Sequence, residues 1–423
     1  MTLTAVDPVA RILSPFAISA AGGALTHRNP LIWVGLGDSH TDGRINAATA
    51  SDGSVGQPIA EIACSPLDKQ WLQAGGTAPY FKVDGAINSV TSPNASNDQS
   101  FSQVNNSFAS WLYWVPISLR ITYPALAAIT VANLGVGGSC AYTWAGECAY
   151  GYVAGLGIPL DGDTVTIAGT TYTFRAVPSV ANDVLIGASG AASILNLENA
   201  VNAEGTGWGA GTVVNPNAWG MNPVSTVYGR FSALLSGTAG NSLTIASSNT
   251  SRVTAVTPAL SPISSQNMTG GSATSAIYAN AKSFLAAGGG IGTPSIISIT
   301  LGTNDANRVG YRARGTSTEL ARLLANIHAD FPNSKVIIWR TPTQGTSALS
   351  QNTLTNVVIP AIDAAVAANA SFVSSVDMYS LGAGATTQAR ILNTTDGIHL
   401  TPYGYQITNQ LFVQKAASLL GLV

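Results

Sequence analysis

The sequence predicts an α/β protein, with a mostly parallel sheet covered by helices on both faces and a small β-rich α+β domain inserted into it. Three observations carry that reading. Short apolar runs alternate with helical patterns before residue 150 and after residue 272. Each apolar run leads into a polar or Gly-rich loop. The stretch between these two regions changes to short alternating strands with Gly, Ser and Thr turns. The 423 residues accordingly divide into 1–150, 151–271 and 272–423, with the first and third parts forming one α/β unit and the second an insert in a loop.

In chain order, "ARILSPFAISAAGGALTH" is broken by Pro15 and reads as a short helix or lead-in. "LIWVGLG" is the first strand, ending at Gly37. Residues 47–105, rich in Gly, Ser, Asn and Pro, are too long for one connection and read as a surface excursion near the rim of the site. "SFASWLYWVPISLRITYPAL" has apolar residues at helical spacing despite Pro116 and precedes the strand of "AAITVANLGVGG". Within the insert, "GDTVTIAGTTYTF" reads as a hairpin turning at Ala168-Gly169 and "AASILNLENAVN" as an amphipathic helix; "AGNSLTIASS" and "RVTAVTPAL" return to strand.

The second α/β part opens with the strand "SIISITLGTND". The helix "STELARLLANIHADF" follows, starting on a capping-box-like Ser317-Thr318-Glu319. "KVIIWRTPT" is the next strand, and the helix "TLTNVVIPAIDAAVAANA" precedes "SFVSSVDMYS". In sheets of this kind, the loops at the carboxyl ends of the strands form the site.

Hydrophobic residues make up 46% of the chain and charged residues only 9%, against roughly 25% charged in ordinary soluble proteins. The surface is therefore polar but nearly uncharged. A formal net charge of -2 leaves no basic stripe to neutralise phosphates, which excludes nucleic acid as a partner. No run of about 18 apolar residues occurs, so membrane insertion is not expected. Of the three cysteines, Cys140 and Cys148 either close one small loop or remain thiols, as Cys64 does. The four histidines form no Cys/His cluster at metal-ligand spacing, and neither a metal nor another cofactor is expected.

A serine hydroxyl near neutral pH needs a base within hydrogen-bond reach, a group that orients the base, and donors for the developing oxyanion. Such residues stand on the strand-end loops: Ser39, Gly138, Asn304, and Asp396 with His399 before the last helix. "GDSH", "NLGVGGS", "LGTND" and "DGIHLTPYGY" occur in that order. Together they resemble the nucleophile, glycine, asparagine and Asp-x-x-His blocks of the GDSL/SGNH hydrolases, over residues 30–150 and 272–423.

The resemblance implies the three-layer α/β/α, flavodoxin-like fold of that family and a serine esterase. It makes Ser39 the nucleophile, His399 the general base and Asp396 the residue that orients it. The oxyanion donors it implies are the backbone N–H groups of Ser39 and Gly138 and the side-chain amide of Asn304. His40 stands where the family usually has Leu; adjacent residues on a tight turn project apart, so His40 is not the base. Asp38 is read as holding the turn and Asp305 as an Asx-turn former, neither with a catalytic role.

Other residues keep two readings open. Arg308, Arg312 and Arg314 either meet a carboxylate-bearing substrate or lie in a solvated loop. Trp111, Tyr113 and Trp114 stack on sugars or belong to the core, and Trp208, Trp219 and Tyr228 face the same choice within the insert.

The insert itself is similar to a small module of bacteriophage tail and other virion proteins. That likeness implies a virion or extracellular location, an acylated host-surface polysaccharide as substrate, O-acetyl groups as the bond cleaved, and other phage tail proteins as partners. Two alternatives remain, a lipase or thioesterase acting on longer acyl chains and a non-catalytic phage receptor-binding protein.

Overall fold

In a computed structural model of the chain, the described residues are 31–38, 41, 80–82, 111–123, 129–135, 139–221, 228–256, 262–273, 275–283, 285, 293–307, 313–343, 348–382, 400 and 402–422. The N-terminal lead-in falls outside them.

The first region supplies strands β1 (Leu31–Gly37), β2 (Tyr80–Lys82) and β3 (Ile129–Asn133), with helices α1 (Trp111–Thr122) and α2 (Ala141–Ala145). The middle region supplies β4 (Cys148–Gly155), β5 (Thr164–Ile167), β6 (Thr170–Arg175), β7 (Asp183–Leu185), helix α3 (Gly190–Asn202), β8 (Ala218–Met221) and β9 (Tyr228–Ser236). β10 (Thr244–Ser247), β11 (Val253–Val256), β12 (Pro262–Ile263) and β13 (Ser265–Asn267) complete it. The last region contains α4 (Ala276–Ser283), β14 (Ile296–Thr300), α5 (Thr303–Asn307), α6 (Thr316–Asp330) and β15 (Lys335–Arg340). It ends with α7 (Ala348–Thr353), α8 (Ile359–Ala368), β16 (Val373–Asp377), α9 (Tyr379–Gly382) and α10 (Pro402–Leu419).

Strands β16-β15-β14-β1-β3-β2 form one six-stranded, wholly parallel sheet. In β1 every residue is buried, as a strand covered on both faces requires. Its alternate residues separate the two faces. Ile32, Val34 and Leu36 pack with α2, α4, α6 and α8, whereas Leu31 and Trp33 pack with α1 and α10. On the second face the Trp111 and Phe412 rings stack at 4.3 Å, and Asn409 donates to the Trp111 carbonyl at 3.0 Å. Trp111 is therefore core, while the side chains of Tyr113 and Trp114 lie outside the described residues. This is the three-layer α/β/α arrangement expected from the alternation of strands and helices.

Within the long 47–105 segment, Tyr80–Lys82 pairs with β3 at the sheet edge, so part of the expected surface excursion is an edge strand. The helix expected over 353–370 is interrupted by a π-helical stretch, Leu354–Val358, between α7 and α8. Pro360 follows it and lacks the N–H that would close a regular α-turn, which accounts for the wide turn there.

Residues 148–267 build two further five-stranded sheets, β13-β10-β5-β6-β7 and β12-β11-β4-β9-β8. Together with α3 they enclose a separate core of Val165, Tyr172, Phe174, Leu197, Phe231 and others. The predicted hairpin turns at Ala168 (φ 49) and Gly169 (φ 90), both in the left-handed region a two-residue turn of this twist requires. Helix α3 starts on Ser189, whose side chain accepts from the Ala192 N–H at 3.1 Å. The chain enters and leaves this domain side by side, because Glu147 and Ser272 exchange backbone hydrogen bonds of 2.9 and 3.0 Å.

Glu198 of α3 is 3% exposed, and among the described residues neither carboxyl oxygen has a hydrogen-bond partner. It fits there because Gly220 and Gly229 face it without a Cβ. Burial pushes its pKa up from 4.5 to about 8. The folded state then holds a proton that the unfolded chain has lost between those two values, so stability falls as pH rises from 4.5 towards 8. Glu198→Gln is expected to flatten that fall, a difference on the order of a few kcal/mol. Urea unfolding of both proteins at pH 5 and pH 8 checks it; identical pH slopes would show that Glu198 is ionised in the folded chain.

Candidate active site

The carboxyl ends of β1, β3 and β14 bring three motif loops to one place. β1 ends on Gly37 at φ 151, where a Cβ would come within 2.5 Å of the Thr300 and Thr41 hydroxyls, so only glycine fits between the two strands. The next residue, Asp38, is fully buried, and its N–H donates to the Thr300 carbonyl at 3.2 Å. β14 exits through Gly302 at φ 116, where a Cβ would meet the Thr341 hydroxyl at 2.4 Å.

Ser39, His40, Gly138, Asp396 and His399 lie outside the described residues, as do Arg308 and Arg312. Asp38 and Thr41 around Ser39, and Ser139 after Gly138, are described, and they converge. Ser139, next after Gly138, donates from its hydroxyl to the Gly37 carbonyl at 3.0 Å and receives the Trp144 indole N–H at 2.9 Å. Asn133 donates from its amide to the Thr41 carbonyl at 2.6 Å, while its Oδ1 accepts from the Gly135 N–H at 3.0 Å. The Thr41 hydroxyl reaches back to the Leu36 carbonyl at 3.2 Å and also bonds the Thr300 hydroxyl. Gly37 and Thr41, which flank Ser39 in sequence, are thus fastened to Ser139 and Asn133 at the two ends of the glycine block.

Asn304 is the one predicted oxyanion residue that is described. It sits on the first turn of α5, half-buried, and its Nδ2 donates to the Ser139 carbonyl at 3.0 Å. The same Nδ2 lies 3.5 Å from the Asp38 Oδ2, at the limit of a hydrogen bond. The shorter bond orients the amide. The longer contact leaves the second amide hydrogen available to an oxygen arriving beside Asp38. Donors that are loosely engaged before substrate binds are usual in catalytic sites.

Asp305 does more than its sequence reading gives it. Both its carboxyl oxygens lie 3.2 Å from the Ala141 N–H, and its Oδ1 accepts from the Thr316 hydroxyl at 3.3 Å, long-range bonds that a turn reading does not include. Motif reading missed Asn133, Ser139 and Thr41 as loop fasteners. Asn133 and Ser139 flank the glycine block, and that position was the available signal.

The inserted domain abuts this region. Tyr142 of α2 lies 6.4 Å from Trp219, ring centroid to ring centroid. Trp219 is buried, with its indole N–H on the Ala233 carbonyl at 3.2 Å, and Trp208 packs against the domain's own core, so both are structural. Arg314 is half-buried and donates to the Asn215 carbonyl at 3.1 Å. Beside it, burial pushes the Glu204 carboxyl up to about 7, opposed by the Arg314 charge. Cys140 and Cys148 are both thiols.

Glu319 was read as part of a capping box. Helix α6 instead begins at Thr316 after Gly315, with no side-chain cap, and Glu319 faces the insert. Its two oxygens accept from the Ser236 N–H and hydroxyl, each at 2.6 Å, and Arg322 stands 3.6 Å away while also bonding Ser236. Glu319 is 1% exposed, so truncating it strands buried donors. Glu319→Ala is expected to cost about 3 kcal/mol of unfolding free energy, measured by denaturant titration. A loss below about 0.5 kcal/mol would mean that water replaces the carboxylate.

Residues 236–407 match the GDSL-like Lipase/Acylhydrolase family. The matched stretch contains Asn304, Asp396 and His399, whereas Ser39 and Gly138 precede it. No curated protein matches the chain. Among solved structures, similarity is found to a carbohydrate esterase family 3 protein from Talaromyces cellulolyticus (26% identity, 31% of this chain, 60% of that chain, TM-score 0.26). A lipase/acylhydrolase from Enterococcus faecalis is similar at 19% identity, over 30% of this chain and 62% of that one, with a TM-score of 0.25. A peptidoglycan O-acetylesterase is similar at 14% identity, over 93% of this chain and 92% of that one, with a TM-score of 0.31. The chain spans about three fifths of the length of the first two of these structures. Among the described residues no helix is long and apolar enough to cross a membrane. The family matched over residues 236–407 is the one whose four motifs the sequence resembles.

Proposed function

We propose that the protein is a serine esterase that removes O-acetyl groups from a polysaccharide. The observation that carries this reading is the Asn304 amide, held between Asp38 beside the nucleophile position and Ser139 beside the glycine position. Ser39 Oγ attacks the acetyl carbonyl carbon while His399 takes its proton, and Asp396 holds the imidazole and its charged form. The tetrahedral oxyanion is received by the N–H groups of Ser39 and Gly138 and the Asn304 amide. His399 then returns the proton to the departing sugar oxygen, leaving acetyl-Ser39. A water molecule, deprotonated by His399, releases acetate and restores the serine.

Residues 151–271 act as an accessory module in this proposal. Their likeness to phage virion modules supports a host-surface polysaccharide as the substrate and a place on the phage tail, among other tail proteins, or outside the cell. Incubation with acetylated host polysaccharide, followed by NMR, is expected to reveal released acetate. Absence of acetate together with a preference for acyl chains of eight or more carbons would replace this reading with a lipase or thioesterase.

A further inference from the structure

We infer that Asp305 is a positioning residue that sets the separation between the two non-serine oxyanion donors, an inference that rests on the esterase reading above. Those donors stand on different segments: Gly138 on the loop after β3, and Asn304 on α5 after β14. An oxyanion hole works only when its donors are fixed relative to each other before the charge develops. Asp305 follows Asn304 directly, and Ala141 is the third residue after Gly138. The Asp305–Ala141 contact therefore joins the two donor segments within three residues of each donor, across 164 residues of sequence.

Three features separate this side chain from an ordinary helix cap. Asp305 is 1% exposed, so its bonds do not compete with bulk water. Both oxygens share the Ala141 N–H, and Oδ1 also takes the Thr316 hydroxyl, which brings the start of α6 into the same tie. The Asn304–Ser139 bond spans the same two segments, but the Asn304 amide must also serve the oxyanion. Asp305 is not one of the oxyanion donors in this reading, so its bonds need not shift as the charge develops.

The test compares the full-length wild type with Asp305→Asn and Thr316→Val. Asp305→Asn is expected to lower kcat on a small acetyl ester by about 10- to 100-fold with KM nearly unchanged. Affinity for a boronic acid, which forms a tetrahedral adduct on the serine oxygen, should fall by a similar factor. Amide hydrogen exchange in peptides covering 133–145 should quicken, and Thr316→Val should move each readout in the same direction by less. A cap that only stabilised the helix would lower the melting temperature and leave kcat and boronate affinity together at wild-type values.

That outcome would overturn the inference, as would unchanged exchange over 133–145 in Asp305→Asn. If Asp305→Asn does not fold, exchange and kcat in Thr316→Val decide: a quickening with lowered kcat supports the tie, and wild-type values refute it. If the wild type hydrolyses no ester, the esterase reading falls on that result alone, and hydrogen exchange still reports whether Asp305 holds the loop.

Discussion

Ser39→Ala lowers turnover of a small acetyl ester by about 10⁴- to 10⁶-fold, the scale on which loss of a nucleophilic serine acts. The variant stays folded, because a one-oxygen truncation at this position removes none of the fasteners described around it. Gly37 is still held by Ser139, and the Thr41 carbonyl by Asn133. The steady-state rate, with circular dichroism as the control for folding, checks the expectation. A folded Ser39→Ala protein with wild-type turnover would remove the acyl-enzyme from the mechanism.

Asn304→Ala is expected to reduce kcat by about 10²- to 10³-fold, as loss of one oxyanion donor does elsewhere. KM should change little, because the amide's second hydrogen is used fully only when charge develops on the acyl oxygen. The 3.5 Å contact with Asp38 before substrate binds is the structural ground for that expectation. The variant also loses the 3.0 Å bond to the Ser139 carbonyl, so part of the loss reflects a displaced glycine loop. Steady-state kinetics on a short-chain ester series separates kcat from KM. A kcat within a few-fold of wild type would take Asn304 out of the oxyanion hole.

Much of the fold is legible in the sequence because its signals are local. The wholly apolar β1 announces a strand covered on two sides, and Ala168-Gly169 sits between two alternating runs that pair across a two-residue turn. Helix α3 begins within a residue of its expected start, with Ser189 capping it. The misreadings share one cause, a partner far away in the chain. Glu319 looks like a cap for its own helix, but Ser236, 83 residues earlier, offers it two donors in a buried place. Asp305 looks like a turn former alone, and its bond to Ala141, 164 residues earlier, has no local signal. Tyr80–Lys82 is too short to show a strand period, and only the exposed edge of β3 makes it one.

The candidate site divides in the same way. Motif order singles out Ser39, Gly138, Asn304, Asp396 and His399 as candidates, because the resemblance rests on residue type and order. It says nothing of Asn133, Ser139 and Thr41, whose side chains fasten one loop to another and whose partners lie on other strands.

The most direct test of a Ser39-dependent esterase is covalent labelling of the full-length wild type with a fluorophosphonate, followed by peptide mass spectrometry. The expected result is a single phosphonyl adduct on Ser39, with its formation slowed in His399→Ala. An unlabelled protein, or an adduct on another residue with Ser39 unmodified, would contradict the assignment.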